Sequence, residues 1–192
     1  MPNDDAPNLG RRHLLATIAI GTLMSQTAGA QALDPENTVY MDIKYGRVVI
    51  KLLPELAPHH VERVKVLCKR HFYDNTPFHR VIPGFMAQGG DPTGTGTGGS
   101  DLPDLKAEFS QTAKFLTGTV GAARTADPNS ANSQFFICLA PAPFLDGQYT
   151  IWGQVVQGMP FVERIKAGSG PNGLVTDPDR IIKMRVAADE NS

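Results

Sequence analysis

Apolar and polar residues alternate from Val39 to Lys44, with Val39, Met41 and Ile43 on one side and Tyr40, Asp42 and Lys44 on the other. A period of two is the mark of a half-buried β-strand. Tyr45-Gly46-Arg47 reads as a hairpin turn, and Val48 to Leu53 as the returning strand, which Pro54 stops. The period then changes. Pro58 fits the first turn of a helix, where its missing N–H would have no intrahelical partner. Val61, Val64, Leu67 and Cys68 follow at helical spacing, with Glu62, Arg63, Lys65 and Lys69 turned outward. This is an amphipathic helix lying on an apolar surface.

Short strands are predicted at Phe78 to Ile82 and at Phe85 to Gln88, on either side of Pro83-Gly84. Proline pre-sets φ and glycine tolerates positive φ, so the dipeptide predicts a turn between paired strands. Strand alternation sets Phe78, Arg80 and Ile82 on one face and His79 and Val81 on the other. Further strands are predicted at Thr119 to Ala123, Gln134 to Leu139, Tyr149 to Val156 and Arg180 to Val186. The run Gln134 to Leu139 is apolar enough to be covered on both faces, so Phe135 and Phe136 point to opposite sides. A second helix is expected over Pro160 to Lys166 with Phe161, Val162 and Ile165 inward, and Gly168 to Asp179 reads as loop.

About eight short strands and two helices, without repeat or linker, predict a mainly β fold whose eight strands can close into a barrel. Such a barrel fills its interior with side chains, so a site must lie on its outer surface. The 192 residues, 41% hydrophobic and 19% charged, are enough for one domain with a real core. A formal net charge of −1 gives no electrostatic footprint for nucleic acid or an anionic membrane. Cys68 and Cys138 form neither a CxxC pair nor a disulfide framework and read as two buried thiols, with a disulfide between them left open in an oxidising compartment.

Residues 1–32 read as an export signal and cleavage region, and residues 33–192 as the folded domain. Arg11-Arg12 precede an apolar run from Leu14 to Met24 that is too short to span a bilayer as a helix. Small residues follow, with A-x-A sites ending at Ala30 and Ala32. The arginine pair and weak hydrophobicity resemble a twin-arginine signal. A periplasmic or secreted protein with no stable membrane anchor is expected; the pattern leaves open which export route and which cleavage site are used.

Two motifs are set aside. His59-His60 are neighbours on a helix, point in different directions and have no third ligand placed beside them, so they read as solvated helix-start residues. Gly94-Thr95-Gly96-Thr97-Gly98-Gly99 satisfies G-x-G-x-x-G, but no helix follows it in a βαβ unit. It reads instead as a glycine-rich loop that lets backbone run close to a substrate chain. GxxxxGK[ST] and GxSxG are absent from the sequence.

Arg80 stands out, because a cation beside Phe85 and Met86 is costly unless it has partners or a task. The run from Phe78 to Asp91, the block Ser133-Gln134-Phe135-Phe136-Ile137-Cys138 and the block Phe144-Leu145-Asp146-Gly147 resemble, in order and spacing, the cyclophilins, which are peptidyl-prolyl cis-trans isomerases. The resemblance covers roughly residues 38–187 and implies a closed eight-stranded antiparallel β-barrel capped by two helices. It implies that Arg80 and Gln88 are catalytic, with Gln88 orienting Arg80. It further implies a proline pocket of Phe85, Met86, Phe136 and Leu145, with Gln134 and the backbone around Ala123 and Arg124 binding the peptide before proline. Phe144 and Tyr149 complete the substrate-binding set, where the animal pattern has Trp and His. Arg124 replaces an Asn, in a loop with a one-residue insertion. No cofactor or metal is implied. Proline-containing peptides and unfolded protein clients are the partners expected, with no nucleic acid, for a chain acting as a monomer. A proline-binding module on the same fold would not need Arg80, so the intact set favours an enzyme.

Overall fold

A computed structural model describes residues 33–190, and the export signal read over residues 1–32 lies outside them. The strands are β1 (Thr38–Ile43), β2 (Gly46–Leu52), β3 (Arg80–Ile82), β4 (Met86–Gly89), β5 (Thr119–Ala122), β6 (Phe135–Cys138), β7 (Ile151–Gln157) and β8 (Ile181–Val186). The helices are α1 (Pro58–Lys69) and α2 (Met159–Val162). All eight strands join one antiparallel sheet in the order β3-β4-β6-β5-β7-β2-β1-β8.

The sheet curls until its two edges meet, but they share no ladder. β3 has three residues between Pro77 and Pro83, too short to pair along its length with β8. Flanking backbone makes the joint: Phe78 N–H donates to the Asp179 carbonyl at 2.8 Å, Asn75 N–H to Ile181 at 2.7 Å, and Ile181 N–H to Thr76 at 2.9 Å. The barrel predicted as closed is thus a curled sheet with a seam. The segment around Gly173 runs along the free side of β3, with Val81 N–H donating to the Gly173 carbonyl and Val175 N–H to that of His79.

Alternation separates two apolar clusters. Inside the curl lie Val39, Met41, Ile43, Val48, Ile50, Leu52, Val81, Phe135, Ile137 and Trp152, with Val61, Val64 and Leu67 of α1 packed on them. The other face of β4 and β6 carries Met86, Phe136 and Cys138, joined by Phe115, Leu145 and Ile151. Phe135 and Phe136 do point to opposite sides. Cys68 and Cys138 are free, buried and in different clusters.

Four local expectations change. Phe78 precedes β3 and packs in the inner cluster rather than beside Arg80. Tyr149 also lies outside its strand, held in a turn by its N–H on the Leu145 carbonyl. α2 stops at Val162, because Arg164 and Ile165 take tighter bonds to the carbonyls three residues back, although Val162 and Ile165 are buried as expected. His60 is buried, not solvated. Glu108 reaches the start of α1 from 48 residues away and accepts the backbone N–H groups of His59 and His60, each at 3.1 Å. It does the work of an N-cap that Ala57 cannot do. Among the described residues no helix is long and apolar enough to cross a membrane.

Candidate active site

The Pro83-Gly84 turn sets the register of β3 against β4. Gly84 takes φ +70°, Phe85 N–H closes the turn on the Ile82 carbonyl at 3.0 Å, and Ile82 pairs with Met86. Two residues further on, Arg80 faces Gln88. β4 then lays Gln88 opposite Phe136 of β6, and Phe136 lies opposite Gly121 of β5. Arg80, Gln88, Phe136 and Gly121 therefore form one row across the outer face of the sheet.

Arg80, Gln88 and Phe136 of that row line a hollow of about 100 Å³, together with Phe85, Met86, Ala123, Arg124, Leu145 and Tyr149. Its floor is aromatic. Phe136 stacks on Phe115 with centroids 5.7 Å apart and meets Tyr149 edge-on at 5.8 Å. Gly121 makes room, since a β-carbon there would stand 2.6 Å from Phe136 Cζ. One wall is polar. Arg80 Nη1 donates to Gln88 Oε1 at 3.2 Å, and Arg80 Nε to the Asn172 carbonyl at 2.9 Å. The Arg124 guanidinium lies 4.3 Å over the Tyr149 ring and donates to the carbonyls of Thr125 and Gln148, at 2.8 and 2.9 Å.

Beyond Gln88, Ala123 and Arg124 a larger polar hollow of about 420 Å³ opens. Gln134 lines this one rather than the smaller. Its Nε2 donates to the carbonyls of Gly96 and Gly98, and its Oε1 accepts from Gln88 Nε2 at 2.9 Å. Phe144 borders neither hollow. The residue is 62% exposed, and its ring tilts against Phe85 at 5.3 Å, on the outer rim. Every other residue assigned to the site from sequence borders the small hollow.

The glycine-rich loop is a wall of the larger hollow, and its organiser is Asp91. The buried carboxylate accepts from the backbone N–H groups of Thr93, Gly96 and Gly98 at 2.8, 2.6 and 3.1 Å, and from the Thr93 hydroxyl at 2.7 Å. Burial by itself pushes this carboxyl up; the hydrogen bonds outweigh it and hold the pKa at about 2. Asn132 ties the far end of the loop, accepting from Ser100 N–H and donating to the Leu102 carbonyl. Sequence reasoning missed Asp91, Asn132, Phe115 and the Asn172 carbonyl. Only Asp91 gave a signal, an Asp-Pro step at the head of a glycine run.

Two buried histidines stay neutral at pH 7. Burial lowers the pKa of His79, against the pull of Asp91 and a hydrogen bond to the Pro77 backbone. Burial also lowers that of His60, against the pull of Glu108. Glu108 binds Nδ1 of both His59 and His60, and among the described residues no three His, Cys, Asp or Glu side chains converge as a metal site. Nothing at the hollow is an activated nucleophile: Cys138 lies beneath it, and burial pushes its thiol up to about 12. What the arrangement offers is a guanidinium with unspent N–H groups beside an apolar seat for a small ring.

The chain is similar to known proteins of one family. The family model described as "Cyclophilin type peptidyl-prolyl cis-trans isomerase/CLD" matches residues 38–186. A probable peptidyl-prolyl cis-trans isomerase of Brucella suis is 49% identical over 191 residues, covering 93% of this chain and 97% of that protein. The human peptidyl-prolyl cis-trans isomerase-like 1 is 40% identical over 129 residues, 66% of this chain and 78% of its own. A cyclophilin crystal structure from Hirschia baltica superposes with a TM-score of 0.73 at 29% identity, over 82% of this chain and 76% of that one. A cyclophilin-type isomerase of Cryptosporidium parvum, crystallised in the presence of the dipeptide Ala-Pro, gives 0.71 at 30% identity, over 78% and 98%.

Proposed function

The chain belongs to the cyclophilin-type peptidyl-prolyl cis-trans isomerases, and from that premise we propose that it rotates X-Pro bonds without a covalent intermediate, with Arg80 as donor and the small hollow as seat for the proline ring. As a member of that family it is an isomerase. The proposal concerns how its residues do the work and where.

An X-Pro bond resists rotation because resonance gives C–N double-bond character, with a barrier of about 18–20 kcal/mol. In the twisted transition state that resonance is lost and the proline nitrogen regains a lone pair. Catalysis therefore needs a donor for that nitrogen and surroundings that disfavour the planar, charge-separated form. A charge-assisted hydrogen bond contributes about 1.5–3 kcal/mol. An acceleration of ~10⁵ needs about 7 kcal/mol, so the donor alone falls short. The rest is assigned to the apolar seat of Phe85, Met86, Phe136 and Leu145, and to the peptide before proline lying along Ala123, Arg124 and Gln134. The observation that carries the reading is that Arg80 borders the same hollow of about 100 Å³ as those four apolar side chains.

The test is cis-trans exchange of an Ala-Pro test peptide. Arg80→Ala is expected to slow the catalysed rate by roughly tenfold to a hundredfold, the size of one charge-assisted hydrogen bond. Equal rates for variant and parent would remove Arg80 from the mechanism.

The same reading takes the chain as a monomeric folding assistant for proline-containing and unfolded clients outside the cytoplasm, exported by the segment at residues 1–32. The sequence layout there supports export: two arginines, an apolar run and small residues at Ala30 and Ala32. N-terminal sequencing of the cellular protein should begin near Gln31 or Leu33; a population that keeps Met1 would count against it.

A further inference from the structure

We propose that the turn at residues 170–173 positions Arg80, the Asn172 backbone carbonyl holding the guanidinium by Nε so that only its terminal nitrogens remain for a substrate. This rests on the reading of Arg80 as the donor and adds which of its atoms donate and what aims them.

A guanidinium is a flat fork of five N–H donors. Here Nε is taken by the Asn172 carbonyl at 2.9 Å and one hydrogen of Nη1 by Gln88 at 3.2 Å. Nη2 has no partner among the described residues. Two anchors on different nitrogens fix the plane of the fork as well as its place, which one anchor cannot do. Gln88 comes from the strand beside β3; Asn172 comes from 92 residues away, across the seam.

The turn is built to hold that carbonyl still. Gly170 and Gly173 both sit at φ +66°, and Gly173 N–H closes on the Gly170 carbonyl at 3.2 Å. The turn is then stitched to the residue next to Arg80: Val81 N–H donates to Gly173 at 2.8 Å, and the Val81 carbonyl accepts from Gly168 N–H at 2.9 Å. A β-carbon at Gly173 would collide with Ile82 Cγ1 and stand 2.9 Å from the Val81 carbonyl oxygen. The site therefore requires glycine there twice over, for φ and for space. A backbone carbonyl held in this way cannot swing aside as a side-chain acceptor can.

Side-chain nitrogen NMR of the parent protein tests this directly. The Arg80 Nε–H resonance should exchange with water far more slowly than in the urea-unfolded chain. On adding an Ala-Pro peptide, the Nη signals should shift while Nε–H stays protected. An Nε–H that exchanges as fast as in the unfolded chain, or that is the group shifted by peptide, overturns the proposal. Gly173→Ala should lower kcat roughly tenfold with KM little changed, and should lose the Nε–H protection. A variant that is only less stable would keep both kcat per folded molecule and that protection, and would also overturn the proposal. If the variant does not fold, the measurement on the parent decides. Arg80→Ala with parental activity would instead sink the donor reading itself, whereas an inactive Arg80→Ala beside a fully active Gly173→Ala would sink only the role of the turn.

Discussion

Gln88 and Gln134 are joined amide to amide, Nε2 to Oε1, at 2.9 Å. The direction of that bond is forced. Gln134 spends its Nε2 on the carbonyls of Gly96 and Gly98, so only its oxygen is left for Gln88, and Gln88 must then turn its own oxygen to Arg80. The glycine-rich loop thus sets the polarity of a chain of bonds that ends on the guanidinium.

Loss of one link should be felt at the end of the chain. Gln88→Ala is expected to lower kcat for an Ala-Pro peptide by roughly tenfold, the worth of one hydrogen bond to a charged group. Gln134→Ala should cost less, because Gln88 keeps Arg80. Steady-state rates for the two variants check the order; Gln134→Ala being the more damaging to kcat would show that the contact of Gln134 with the peptide outweighs its hold on Gln88.

Gly121 is the space beneath the hollow. Gly121→Ala would put a β-carbon 2.6 Å from Phe136 and 2.8 Å from Phe115, two stacked rings of which one must shift. Overpacking of this kind costs about 1–3 kcal/mol. The ring that yields is Phe136, toward the hollow, so kcat/KM should fall by roughly tenfold or more while the fold persists. Thermal unfolding and the peptide assay together check this; a lower Tm with unchanged kcat/KM would mean that Phe115 had moved instead.

Acid should destabilise the fold in two stages. The Asp91 pKa of about 2 lies below its ordinary 3.8, so the stability it contributes is complete above pH 4–5 and is lost as pH falls toward 2. The difference is worth about 2 kcal/mol. Glu108 and Asp179 are shifted the same way. His60 and His79 add the earlier stage. Their folded pKa values are lowered from 6.5, so below that pH the unfolded chain takes up protons that the folded chain refuses. Urea midpoints should be flat from pH 8 to 7, decline below about 6.5 and fall again below 4. Asp91→Asn should make the lowest stage shallower. A midpoint that rises between pH 7 and 5 would contradict the burial of the two histidines.

Much of this was legible in the sequence because it depends on neighbours along the chain. Pro83-Gly84 dictates a turn, the turn dictates that Arg80 meets Gln88, and alternation dictates that Phe136 faces away from Phe135. The rest depends on groups far apart. Nothing near residue 80 announces that a carbonyl at 172 will meet it, and nothing near His60 announces Glu108. The length of α2 and the unlaced edge of β3 were settled by tertiary contacts that overrode local pattern. Phe144 was placed by analogy at the pocket, yet it stands on the rim against Phe85.

The seam has one more consequence. A short, bare margin of sheet is a template onto which any extended chain can add itself as another strand, and such addition is a route to aggregation. Here the free side of β3 is already occupied by its own chain at Gly173 and Val175, and the approach to β8 by residues 75–76. On the proposed reading, a polypeptide that rests its proline in the hollow finds no open side of β3 to join.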